Sequence, residues 1–168
     1  MKQGTSSADR FAEERNRRDS FVELWEKANL IRSFLWSQEI ADEKFAPDLP
    51  PGITSDRIKF KQIVRNLIDN AVTCTERGRV AVKAQRKDDM LEISVADTGV
   101  GIGTENLKKV FDPHSDEDSI RSRQEGRLGL SLIKELVDLL KGHIHVRSQP
   151  GVGSEFTGCL PVDAPMRA

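Results

Sequence analysis

Apolar positions along this chain recur in turn at the period of a helix and at that of a strand. Ser20 and Glu23 form a capping-box pattern, and Phe21, Trp25, Ala28, Ile31 and Leu35 follow at helical intervals, so the spacing predicts an amphipathic helix to about Gln38. KFAPDLPPGIT is interrupted by prolines and reads as an edge strand around Lys44 to Ala46, followed by a turn. A second helix is expected from about Asp56. It carries Ile58, Ile63, Leu67 and Ala71 on one face with Val64, Ile68 and Val72 beside them, and Gln62, Asn66, Asp69 and Asn70 on the other. Gly78 closes that region.

Two strands, Val80 to Gln85 and Met90 to Ala96, follow as a hairpin around the charged turn RKDD. From 99 to 127 periodicity fades into glycines and the acidic run SDEDS, which predicts a long functional loop with one short helix near Glu105 to Val110. Helical spacing returns from Leu128 to Leu140 through Leu132, Ile133, Leu136 and Val137, with Gly142 as terminator. Strands His143 to Ser148 and Ser154 to Pro161 flank the turn QPGVG. The order helix, helix, hairpin, helix, hairpin predicts an α+β domain, a two-layer sandwich with helices on one face of a mixed, mainly antiparallel sheet. Residues 1–18 read as a linker or the end of an upstream helix, 19–162 as one domain and 163–168 as a tail.

Composition narrows the partners. With 37% apolar residues in 168, the chain can bury one core. Its 26 basic and 27 acidic residues give no global attraction to nucleic acid or to an anionic membrane, so any anion site must be local. Cys74 and Cys159 lie far apart in apolar stretches without metal-ligand spacing, and read as buried free thiols of a cytoplasmic, reducing compartment. No apolar run approaches the roughly 18 to 20 residues that span a bilayer, so no direct membrane contact is expected of this segment.

Asn66 and Asn70 lie one helical turn apart and can point into one cleft. An amide oxygen there can join a magnesium shell completed by water and phosphates. The strand LEISVA then runs into Asp97-Thr98-Gly99-Val100-Gly101-Ile102-Gly103. A carboxylate at a strand end can accept the exocyclic amine of adenine, and the glycines let the backbone turn sharply and approach closely.

RNLIDNA, VADTGVGIG, VFDPH, RLGLSLIKEL and PGVGSEF resemble, in order and spacing, the sequence boxes of sensor histidine kinase catalytic domains, over about residues 20 to 162. The resemblance implies the Bergerat-type, left-handed-crossover ATP-binding fold shared with gyrase, the heat-shock 90 chaperones and the mismatch-repair ATPases. It implies an ATP–Mg2+ site between the second helix and a mobile lid. By that likeness Asn70 is the magnesium ligand and Asn66 supports it, Asp97 reads adenine, and Gly99, Gly101 and Ile102 shape the base pocket. Arg127, Leu128, Gly129 and Ser154 complete the nucleotide site. The related ATPases carry a glutamate where this chain has Asn66, which cannot act as a base, so phosphoryl transfer to an outside acceptor is favoured over hydrolysis. The implied partners are a phosphoacceptor-histidine helical hairpin and a response-regulator receiver domain, in a parent that is a homodimer.

The pattern departs from the family at Thr73, where a basic residue is usual, at Arg127, where glycine usually precedes LGL, and at His114, where a second phenylalanine is common. Arg65, Arg123 or Arg127 can replace the phosphate contact that Thr73 removes. These departures keep open a degenerate domain that regulates a partner kinase by docking, and less readily an anti-sigma-type serine kinase. His143-Ile144-His145 sets two imidazoles on one strand face, but with no third ligand near in sequence an exposed strand is the reading. His114 lacks the context of an acceptor histidine.

Overall fold

The computed structural model describes residues 21–23, 42–47, 49–50, 52–112 and 130–163. Strands β1 (Phe21–Glu23), β2 (Asp42–Phe45) and β3 (Gly52–Thr54) precede helix α1 (Arg57–Thr73). Strands β4 (Val80–Lys87) and β5 (Met90–Asp97), a single turn α2 (Thr104–Leu107), helix α3 (Leu130–Leu139) and strands β6 (His143–Gln149) and β7 (Gly153–Pro161) follow. The main sheet runs β2-β4-β5-β7-β6, with β2 parallel to β4 and every other pair antiparallel. The mixed, mainly antiparallel sheet is as expected, and β2 occupies an edge.

Two corrections concern the N-terminal third. Phe21–Glu23, where helical spacing was expected, form a strand antiparallel to Gly52–Thr54, which were expected to be turn. Backbone pairing between two short β-compatible runs overrides the local period there. The rest of the helix predicted to Gln38 lies outside the described residues.

α1 starts where its sequence signals a start. Asp56 accepts the backbone N–H groups of Ile58 and Lys59, both at 3.0 Å, and pairs with the Lys59 ammonium. Phe60, Ile63, Val64, Leu67, Ile68 and Ala71 then turn inward, each nearly or fully buried. Ile58, assigned to that face, is 77% exposed, because the helical period sets it with Gln62, Arg65 and Asp69, opposite the buried residues. The facing layer is the inner face of the sheet, where strand alternation buries Val80, Val82 and Ala84 of β4, and Leu91, Ile93 and Val95 of β5. Phe156 and Leu160 of β7 complete it, and α3 covers its end of the sheet with Leu130, Ile133, Leu136 and Val137. Burial of each such aliphatic side chain contributes about 1.5–3 kcal/mol. Leu132, expected on the same apolar stripe, is 37% exposed. Among the described residues no helix is long and apolar enough to cross a membrane.

Candidate nucleotide site

A pocket opens at the end of the sheet's inner face that carries Asp97 and Ser154. It is lined by Asn70 and Cys74 of the α1 C-terminus, Asp97 at the end of β5, and Val100, Gly101 and Ile102 of the following loop. Leu130 of α3 and Ser154 and Phe156 of β7 close it, around about 330 Å³ of space counted to its open mouth.

Asn70 is 4% exposed, not on an outer polar face as the pattern suggested. Among the described residues, its Nδ2 is the buried side-chain atom without a hydrogen-bond partner. An unpaired buried amide costs about 1–3 kcal/mol, and this one lines the pocket. The amide can turn over to present oxygen instead of nitrogen. Asn66, one turn earlier, is half-buried and does not line the pocket.

Asp97 is 7% exposed. Burial pushes its carboxyl above the ordinary value of 3.8, against backbone N–H bonds from Gly99 and Ser154 that favour the charged form. The Gly99 N–H donates to its Oδ1 at 2.8 Å and so leaves capacity on the carboxylate for a second donor.

The glycines that follow are needed by the protein's own backbone. A Cβ on Gly99 would stand 2.0 Å from the Cys74 carbonyl oxygen, and one on Gly101, at φ 69°, 2.1 Å from that of Gln149. The loop therefore lies on the α1 C-terminus on one side and on the β6–β7 turn on the other, where Gly151 N–H donates to the Val100 carbonyl at 2.8 Å. Ser148 fastens the junction. Its hydroxyl accepts the Ile102 N–H at 2.7 Å and donates to the Gly153 carbonyl at 2.9 Å. With that proton used, the Ser154 hydroxyl, 2.9 Å away, is the donor of the pair.

Phe111 meets Phe156 edge to face, with ring centroids 6.3 Å apart at 82°, which ties the segment after α2 to the pocket floor. Thr73, in the place of a family basic residue, bonds back to the Asp69 carbonyl at 2.7 Å. Arg65 pairs with Asp69 on the exposed side of α1, 3.4 Å away. Arg127, Leu128 and Gly129, with Arg123 and His114, lie outside the described residues.

The structure thus gathers Asn70, Asp97, Gly101, Ile102 and Ser154 around one space, with Gly99 hydrogen-bonded beside it. Sequence reasoning missed Cys74, Val100, Leu130 and Phe156. Two of these had a signal: Cys74 is one turn beyond Asn70, and Phe156 is two beyond Ser154 on the same strand face.

The chain belongs to the family of histidine kinase-, DNA gyrase B- and HSP90-like ATPases, whose model matches residues 55–164. It is 35% identical over 118 residues to the sensor histidine kinase RcsC of Escherichia coli K12, covering 69% of this chain and 12% of that protein. It is 38% identical over 125 residues to the sensor histidine kinase AtsR of Burkholderia thailandensis, covering 71% of this chain and 20% of that one. Among solved structures it superposes on the catalytic domain of the histidine kinase ThkA, with a TM-score of 0.70 and 23% identity over 86% of this chain and 95% of that one. Full-length ShkA in complex with AMPPNP gives a TM-score of 0.66 at 27% identity, covering 86% of this chain and 30% of that one. The domain is therefore of the catalytic, ATP-binding type found in sensor histidine kinases, and the chain spans 12 to 20% of the length of these curated relatives.

Proposed function

We propose that this domain binds ATP with Mg2+ and delivers the γ-phosphoryl group to a histidine on a separate helical hairpin, from which an aspartate of a response-regulator receiver domain takes it. The observation that carries the reading is the buried Asn70 amide without a partner, opening into the same pocket as the buried Asp97 carboxylate. The donor set fits the group. Asn70 offers one neutral oxygen, which suits an ion that takes most of its ligands from water and phosphates. Bound there, Mg2+ would neutralise phosphate charge.

This chain's own residues bind and orient. Asp97 in its ionised form accepts the adenine amine, while Val100, Ile102 and Phe156 give the base an apolar surround. Leu130, the first described residue of α3, lines the pocket, and the positive end of a helix dipole favours phosphate. Asn66 cannot take a proton from water, and Cys74 and Ser154 form no base with it, so positioning and charge stabilisation are what the domain supplies. The test supplies ATP labelled on its γ-phosphate together with an acceptor hairpin in trans. Acid-labile label on the hairpin's histidine is expected, and label released only as phosphate would refute transfer.

A further inference from the structure

The face of the sheet turned away from the helices carries a second constellation of chemical groups. In the β6–β7 register His143 stands opposite Cys159 and His145 opposite Thr157, so both imidazoles and the thiol share that face. Their ligand atoms, one nitrogen from each ring and the Cys159 sulfur, all lie within 4.8 Å of one another. Both rings are exposed, and a tetrahedral ion binds nitrogen and sulfur at about 2.0–2.3 Å, so modest adjustment of the rings is what a shared ion requires. We propose that His143, His145 and Cys159 form a site for a divalent transition-metal ion of the zinc type, with solvent as fourth ligand.

Along its own strand the histidine pair has no third ligand. Pairing of β6 with β7 supplies one from 14 residues further along the chain, which residue spacing along one strand could not show. Cys159 is 1% exposed beneath two exposed histidines, so the ion would be held by one recessed soft donor and capped by two imidazoles. On its other side, Cys159 pairs with Glu92 of β5, whose Oε1 is 3.9 Å from the sulfur. Glu92 adds negative charge beside the ion; its other oxygen is held by Gln85 at 2.7 Å, and Lys87 lies 3.9 Å from Oε1. Cys159 is a free thiol, which carries its proton while no metal is bound. Binding exchanges that proton for the ion: the S–H bond breaks, an S–metal bond forms, and the proton goes to solvent. The site is separate from the nucleotide pocket because Ser154 and Phe156 point through the inner face of β7 while Cys159 points through the outer one. Its effect is to pin the edge strand β6 to β7.

Titration of the full chain with Co2+, followed by absorption and proton release, tests this. The expected result is a single site with a thiolate-to-cobalt charge-transfer band, displaced by Zn2+ with release of no further proton, and a melting temperature raised by Zn2+. Cys159→Ser should remove the band. His145→Gln, on an exposed ring, should weaken binding about tenfold or more and leave the metal-free melting temperature unchanged. Absence of the band in the parent at micromolar Co2+, a band that survives Cys159→Ser in a folded variant, or an unchanged Co2+ affinity in His145→Gln would overturn the proposal. Should Cys159→Ser fail to fold, the His145→Gln comparison decides.

Discussion

Asn70 and Asp97 reach one pocket from different layers of the sandwich, the first from the last turn of α1 and the second from the end of β5. Both are polar, both are more than nine-tenths buried, and both retain hydrogen-bonding capacity. Two such groups facing one pocket are what a ligand-binding site requires and what a purely structural core avoids.

For Asp97 the sign of the pH effect follows from its burial. A carboxyl whose folded pKa is raised stabilises the fold fully below its unfolded value of 3.8, and that contribution is lost as pH rises through the folded value. Asp97→Asn removes the titration and keeps an oxygen for the Gly99 N–H. The difference in melting temperature, variant minus parent, should therefore become more positive from pH 4 to pH 7. The same variant should lose its preference for ATP over GTP, since its amide offers donors where the base amine needs an acceptor. An unchanged ATP-to-GTP affinity ratio would show that Asp97 does not read the base.

Gly101→Ala and Gly103→Ala form a matched pair. The first puts a methyl 2.1 Å from the Gln149 carbonyl oxygen at φ 69°, while the second meets nothing within 4 Å. Gly101→Ala should cost about 1–3 kcal/mol and weaken nucleotide binding through displacement of the loop from the β6–β7 turn. Gly103→Ala should stay within about 1 kcal/mol. Thermal denaturation of both variants, with equal losses, would contradict the account of the loop.

At the start of α1, Asp56→Ala should cost about 1 kcal/mol through loss of the cap. Burial raises this carboxyl, but the Lys59 ammonium and the N–H groups of Lys59 and Ile58 outweigh it and hold it below 3.8. Its stabilisation is present above 3.8 and is lost as pH falls through the lower folded value, so the variant's deficit should shrink in acid. Urea midpoints at pH 7 and pH 3 check this; a deficit independent of pH would exclude the cap.

The core of α1 and the alternation of β4 and β5 were legible because burial there follows a single period, seen in Ile63 with Leu67 and in Leu91 with Ile93 and Val95. Asn70 shows where periodicity stops: it registers a polar residue and cannot tell an exposed face from a buried pocket. Ile58 is the converse, an apolar residue out of phase with the buried face and left exposed. β1 and β3 are three residues each and are held by each other, and β3 also by the Val162 carbonyl, so neither has a local signature. The site was legible as far as the glycine motif, whose meaning changed on folding. Gly99 and Gly101 make room for the carbonyls of Cys74 and Gln149, contacts across 25 and 48 residues that no local pattern encodes. Cys159 with His143 is the same lesson on the outer face.

The most direct test is calorimetric titration of the chain and of Asn70→Ala with ATP in the presence and absence of Mg2+. Removing Asn70 deletes a buried group that lacks a partner, so the variant should melt at the parent's temperature or slightly above it. The account predicts Mg2+-dependent binding by the parent and, in Mg2+, an affinity lower by about 1–3 kcal/mol in the variant. Equal affinity of a folded Asn70→Ala variant for ATP in Mg2+ would contradict it.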